Sequence, residues 1–395
     1  MNLNLGKRHE NLVLFFCTLI LSVLGTVMVF SATSVTAGAG AKFGNDSAYF
    51  LKRQVLFLVM GASLAVFLTR VDYDFYRRRI WHILAAAFGL LLLVFLPKIG
   101  HTANGASRWI NLRLFTFQPS ELAKFVLIAF AAYAIDRKGE NSKEGIKIFL
   151  PVLGVTAVFL AVILKEPDFG MAVVIAASCI AILFVAGFPW KILAGLMGAG
   201  VAGVALLIAA KPYRMARLHA FLDPFSQAQA AGYQVVQSLI AFSNGGFLGT
   251  GIGAGRQKLF YLPEIHTDYI FSVIGEELGF AGVVAVGAIF LTMVCVGFRI
   301  ARRARDLFGR YLAIGLSSVI GIQALMNMMV GLKMLPPKGM VLPFLSYGGS
   351  SLILHLAAMG VLINISMKGA ETFVADADHR GRGNRRARFS GDSAG

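Results

Sequence analysis

Ten runs of apolar residues, most near the length that crosses a lipid bilayer, leave few folds open to this chain. A hydrocarbon core of about 30 Å needs roughly 20 apolar residues in helical form. Backbone in lipid must also satisfy its own hydrogen bonds, which favours helices. Runs such as VLFFCTLILSVLGTVMVF and MAVVIAASCIAILFVAGF meet both demands. The expected spans are about 11–32, 54–69, 80–97, 119–135, 148–164, 169–188, 190–210, 270–298, 310–332 and 348–366. The span at 54–69 is short, and 269–280 reads equally as loop or helix. Of the 395 residues, 57% are hydrophobic and 14% charged, whereas soluble domains carry about a quarter charged residues. The expected fold is therefore all-α, a polytopic membrane protein of about ten transmembrane helices.

Lys and Arg gather in cytoplasmic loops. A cytoplasmic N-terminus places RVDYDFYRRR (70–79), DRKGENSKEGIK (136–147) and RIARRARDLFGR (299–310) inside. An even number of spans returns the C-terminus to the cytoplasm. Residues 1–10 then form a cytoplasmic segment, 11–366 the membrane domain, and 367–395 a Gly-, Arg-, Asp- and Ser-rich tail expected to be disordered. The first span is too long for a signal peptide, and no small-x-small cleavage site follows it. The net charge of +17 reflects this topology and attraction to anionic lipid. It is scattered over both faces, which makes nucleic-acid binding a poor reading. Cys17, Cys179 and Cys295 fall within spans as small core residues, and no CxxC or His/Cys cluster marks zinc.

The extracellular connection between helices 7 and 8, residues 211–268, far exceeds an ordinary connector. Within it GYQVVQSLIAF (232–242) is apolar enough to lie in or re-enter the membrane, and SNGGFLGTGIGAG (243–255) supplies bends. Unusual polar residues collect on this same face. NGASRWI (104–110) offers Arg108 and Trp109, which serve equally as an interfacial anchor. Glu121 and Lys124 of QPSELAKF share a helix face and could be a simple ion pair. The charges of KEPDFG (165–170) read most simply as solvated turn residues. Arg214 belongs to a basic series at 211–217 that could meet lipid headgroups. Lys258, and Lys338 in LKMLPPKGMVLPFLSYGGSS (332–351), add further cations. Asp268 could cap the helix that follows it. Glu276 and Glu277 lie inside an apolar run, where carboxylates either pair or act. Taken together, basic groups around isolated carboxylates suit an anionic lipid substrate, such as a pyrophosphate, and a base that activates a hydroxyl.

At these residues the chain strongly resembles the SEDS family (shape, elongation, division and sporulation proteins) over about 11–366. NGASRWI…FQPSELAKF, EPDFG, YRMARLHAFLDPF, the long stretch from GYQVVQSLIAFSNGG to LPEIHTDYIFSVIGEELG, and LPPKGMVLPFLSYGGSS occur in family order. QSLIAFSNGG and LPPKG look closer to the division branch than to the elongation branch. The resemblance implies a ten-helix peptidoglycan glycosyltransferase at the outer face of the cytoplasmic (inner) membrane. It would polymerise lipid II during septal cell-wall synthesis and release undecaprenyl pyrophosphate. Its implied partners are lipid II, undecaprenyl-linked glycan, a class B penicillin-binding protein transpeptidase and other division proteins.

The resemblance also implies that Asp268 is the essential acidic residue, acting as the general base on the acceptor C4 hydroxyl, and that Arg108 and Lys124 line the cavity. Trp109, Glu121, Arg214, Lys258 and Lys338 join these as candidate substrate contacts, with Glu276 and Glu277 in a supporting ion network. A divalent cation, Mg or Mn, bridging the pyrophosphate is compatible with this chemistry, but no dedicated ligand set is visible. Met171 and Pro337 stand where many relatives have Thr, and neither change removes a charged candidate. A lipid II flippase would show functional charges on both faces and repeat symmetry. A non-catalytic division scaffold would leave the outer carboxylates unexplained.

Overall fold

The computed structural model describes residues 2–97, 100–103, 106–112, 115–138, 149–209, 215, 218–219, 221–226, 232–259 and 265–389. Helix α1 (Asn2–Ala39) is followed by a short 3₁₀ turn (Ala41–Phe43), α2 (Tyr49–Arg70) and α3 (Asp74–Leu93). A small sheet comes next, β1 (Gly100–Ala103), β2 (Ala106–Asn111) and β3 (Thr116–Phe117). Then follow α4 (Pro119–Lys138), α5 (Leu150–Lys165), α6 (Phe169–Val185) and α7 (Trp190–Ala209). The chain closes with α8 (Tyr233–Gly245), α9 (Ile270–Arg302), α10 (Leu307–Gly331) and α11 (Gly349–Phe389). Each expected span has a helix at its position. Five described helices are long and apolar enough to cross a membrane by themselves: α1, α2, α9, α10 and the first part of α11. The protein is a helical, multi-pass membrane protein.

Three elements differ from the sequence expectation. The segment 98–118 carries an antiparallel sheet in the order β1-β2-β3. Its strand formers pair across it, with Trp109 opposite His101 and Ile110 opposite Phe117. Helix α2 starts earlier than its span and reaches 22 residues. Helix α11 runs on to Phe389, into the tail expected to be disordered. Propagating an established helix costs far less than nucleating one.

Helices α10 and α11 are largely buried inside the protein, while α2 shows most of its surface. Helix α4 packs against α3, α6 and α10, and α2 lies along α11. The exposed apolar belt includes Phe67, Phe184, Val201 and Leu291, a surface suited to lipid and not to water. At one end of the bundle ion pairs join Arg77 to Asp136 at 3.1 Å and Arg303 to Glu10 at 2.8 Å. At the other end the sheet, the 166–168 turn and the 265–269 and 333–347 segments come together.

Helix α9 is broken at Gly279, whose φ is 65° and ψ −165°. An unbroken helix would pair the amides of Phe280 and Ala281 with the carbonyls of Glu276 and Glu277. Here those amides donate instead to Gly246 O (2.9 Å) and Phe247 O (3.1 Å). The freed carbonyls accept from Thr250 N and Gly251 N, each at 3.0 Å. The 246–251 loop therefore inserts its own backbone into the helix ladder, and the polar groups at the break are satisfied.

Candidate active site

Asp268 and Arg108 face one another over Gly339. A side chain beginning at Gly339 would have its first carbon 3.6 Å from Asp268 Oδ2 and 3.8 Å from Arg108 Nη1. Glycine at this exposed position keeps the space between acid and guanidinium open.

Each partner is aimed by its surroundings. Thr102 pairs with Ser107 and His101 with Trp109, so Arg108 is the extra residue of a β-bulge. Bulges re-aim a side chain out of the regular strand alternation. Arg108 Nε donates to Glu166 O at 3.1 Å, Nη2 to Pro167 O at 2.6 Å, and Nη1 lies 3.9 Å from Asp168 Oδ1. Asp268 sits half-buried in the turn 265–269 just before α9. The N-cap position of that helix is Tyr269, one residue on. Asn327 of α10 donates to Asp268 O (3.0 Å) and to Met340 O (2.6 Å), stapling the turn to the segment that carries Gly339. Ser346 Oγ donates to Thr267 O (2.6 Å) and Tyr347 N to His266 O (2.8 Å). The His266 ring packs against both Phe50 and Tyr347, which also touch each other.

The KEPDFG turn corrects its sequence reading. Lys165 alone is exposed, while Glu166 and Asp168 are 1% and 2% exposed. Asp168 caps α6 by accepting from Met171 N (3.1 Å), and its other oxygen accepts from Gln118 Nε2 (2.9 Å). Burial pushes its carboxyl above the ordinary range, and the Arg108 charge opposes that rise.

Glu121 and Lys124 lie beneath this layer. The Lys124 ammonium is fully buried and donates to Glu121 Oε2 and Gln323 Oε1, both at 2.5 Å, with His355 Nε2 at 3.4 Å. Gln323 in turn donates to Val341 O (3.0 Å). The pair thus braces the floor under 339–341, the ion-pair alternative of the sequence reading. Lys258, a candidate substrate contact, is buried and bonded within the protein. Its three protons go to Ser31 Oγ (3.0 Å), Gly253 O (2.5 Å) and Glu277 Oε1 (3.0 Å). Glu276 accepts from Arg256 N (2.9 Å) and Gln257 N (3.2 Å), so both glutamates hold the 249–258 loop. Trp109 is half-buried on β2 beside Arg108, and Lys338 is half-buried next to Gly339. Burial lowers the Lys338 ammonium pKa below its usual range. Arg214 lies outside the described residues.

Sequence reasoning missed Gln323, Asn327 and His355. All are buried and polar on helices of the membrane domain, and a polar side chain inside a span is the signal that marks them. Among the described residues no three His, Cys, Asp or Glu side chains gather to hold a metal. These contacts set a carboxylate and a guanidinium on either side of Gly339, above a braced floor. Such a pair can remove a proton from a hydroxyl while holding an anionic group.

A family model described as cell cycle protein, covering FtsW, RodA and SpoVE, matches residues 11–371. The chain is 45% identical over 362 residues to a probable peptidoglycan glycosyltransferase FtsW of Geobacter sp. (strain M18), covering 91% of this chain and 98% of that one. It is 40% identical over 362 residues to stage V sporulation protein E of Bacillus subtilis (strain 168). That match covers 91% of this chain and 98% of the relative. A chain from a peptidoglycan synthase complex that coordinates polymerization and crosslinking superposes with a TM-score of 0.73 at 28% identity, over 90% of this chain and 97% of that one. The rod shape determining protein RodA of Thermus thermophilus gives 0.66 at 28% identity, over 90% and 95% of the two chains.

Proposed function

The chain belongs to the FtsW/RodA/SpoVE family of cell cycle proteins, and on that premise we propose that it polymerises lipid II into glycan strands at the outer face of the cytoplasmic membrane. The enzyme is a peptidoglycan glycosyltransferase. The division setting and a septal location follow the FtsW relatives. The observation that carries the mechanism is the opposition of Asp268 Oδ2 and Arg108 Nη1 over Gly339.

Asp268 accepts the proton of the acceptor C4 hydroxyl. That oxygen attacks C1 of the lipid-linked strand and forms the β-glycosidic bond with inversion. The C1–pyrophosphate bond breaks, and undecaprenyl pyrophosphate leaves with the electron pair. Arg108 meets the charge growing on the leaving pyrophosphate, and Lys338 is the second cation at the rim. A charge-assisted contact of this kind is worth about 1.5–3 kcal/mol. A class B penicillin-binding protein is the proposed partner, in keeping with the polymerization and crosslinking complex among the structural neighbours.

The test is glycan polymer formed from labelled lipid II by the purified protein with that partner. Asp268→Asn keeps the shape and loses the base, and a positioned base contributes about 10²–10⁴-fold. The variant should stay folded, bind its partner and yield no polymer on a gel. Polymer at the wild-type rate would place the base elsewhere.

A further inference from the structure

We infer that Glu166 is a positioning residue for this site: its carboxyl is held neutral in a buried seat, and its ionisation draws Arg108 away from the face that meets the anionic substrate. The activity arm of this inference rests on the polymerase reading, and the spectroscopic arm does not.

Both carboxyl oxygens of Glu166 are buried without a hydrogen-bond partner among the described residues. A buried carboxylate with nothing to bond escapes that penalty by taking up a proton. Arg108 holds this residue only through its backbone, by the bond from Nε to Glu166 O. Its remaining donors reach Pro167 O and Asp168, and Nη1 also flanks the gap over Gly339. The guanidinium therefore stands between the turn and the substrate face. A second negative charge beside Asp168 strengthens the turn's hold on it and competes directly with a phosphate.

Among the described residues the ionisable surroundings are few. Arg108 comes from β2, and Asp168 stands at the start of α6. Glu121 and Lys124 of α4 lie behind Asp168. Lys338 approaches Gly170, where a side chain would meet its Cβ at 3.7 Å. Lys165, its neighbour on α5, is exposed, and α3 brings no ionisable side chain to its last ten residues. Burial, reinforced by Asp168 and opposed by Arg108, pushes the Glu166 carboxyl up to about 8. Physiological pH thus lies on the neutral side of the switch.

The first measurement is infrared absorption of protonated carboxyl in the purified wild type and in Glu166→Gln. We expect a protonated-carboxyl band at pH 7 that the variant lacks and that fades in the wild type as pH rises past 8. Identical spectra at pH 7 would overturn the neutral seat. The second measurement is the ratio of lipid II polymerisation rate at pH 9 to that at pH 7. Ionisation one pH unit above the midpoint leaves about a tenth of the groups neutral, so this ratio should be about tenfold higher in Glu166→Gln than in wild type. Glu166→Met, also neutral and of similar length, should raise it likewise and covers the case in which one variant misfolds. An unchanged ratio in both variants would overturn the positioning role and assign the alkaline limb to another group such as Lys338. Should wild type form no polymer at any pH, the polymerase reading fails while the infrared band still decides the seat.

Discussion

Gly339 is the residue at which one missing side chain keeps the site open. A methyl group there would sit at ordinary contact distance from both Asp268 and Arg108. Gly339→Ala should keep most polymerisation activity. Gly339→Leu pushes a branched group between acid and guanidinium and should lower the rate at least as far as losing one charged contact does, about tenfold or more. Gel assays of both variants, with melting midpoints alongside, check this; equal activity in the two would show that substrate does not enter the gap. Glu166 supplies a prediction about stability. Its folded-state carboxyl titrates near 8 instead of 4.5, so between those values the folded protein binds more protons than the unfolded chain. Stability contributed by the neutral group is complete below pH 4.5, declines as pH rises, and is gone above about 8. The melting midpoint of wild type in detergent should therefore fall from pH 5 to pH 8 relative to Glu166→Gln. Parallel pH curves for the two proteins would contradict it.

Helix α9 shows how one element depends on residues far from it in sequence. Its break is stable because the 246–251 loop supplies backbone partners and Glu277 locks the loop through Lys258 and Gly253 N. Gly249 is needed for that approach, since at φ 84° a side chain would begin 2.2 Å from Glu277 O. Glu277→Gln leaves the buried Lys258 ammonium without its counter-charge, and breaking a buried pair from one side costs about 3–5 kcal/mol. The melting midpoint should drop sharply. It should recover in part when Lys258→Met is added, because the stranded charge is then gone. A double variant as unstable as the single would trace the loss to the loop's hydrogen bonds instead.

This element also marks the limit of what the sequence discloses. The spans were legible because apolar length is a property of each run alone. The break in α9 was not, because it needs backbone partners some thirty residues upstream. Nor was the bulge that aims Arg108, which exists only in the pairing of β1 with β2. Asp268, Arg108 and Lys338 were legible as charges near an outer boundary. The burial of Glu166 and Asp168 was hidden because three charged residues in a tight turn look solvated until the sheet closes over them.

On the scale of the whole molecule, polar contacts separate into two ends, and the charge pattern gives those ends a direction. One end joins Glu10, Tyr73, Arg77, Asp136, Arg303 and Asp306. It carries the basic loops 70–79 and 299–310, which the positive-inside rule assigns to the cytoplasm. The other end holds Asp268, Arg108 and the loops around them, and is proposed to face outward, where a glycan strand must grow. Cysteine labelling tests that orientation. Cys295 is exposed and is first replaced by Ser, whereas Cys17 and Cys179 are buried and cannot be reached. Ser226 and Ala254 are exposed positions of the long loop, and Arg305 is exposed at the basic end. Cysteine placed at 226 or 254 should react with an impermeant maleimide on intact spheroplasts. Cysteine at 305 should react only after the membrane is opened. The reverse pattern would turn the protein over and put Asp268 in the cytoplasm. A base on that side could not build a strand outside the membrane, so the inverted result would overturn the polymerase mechanism along with the topology.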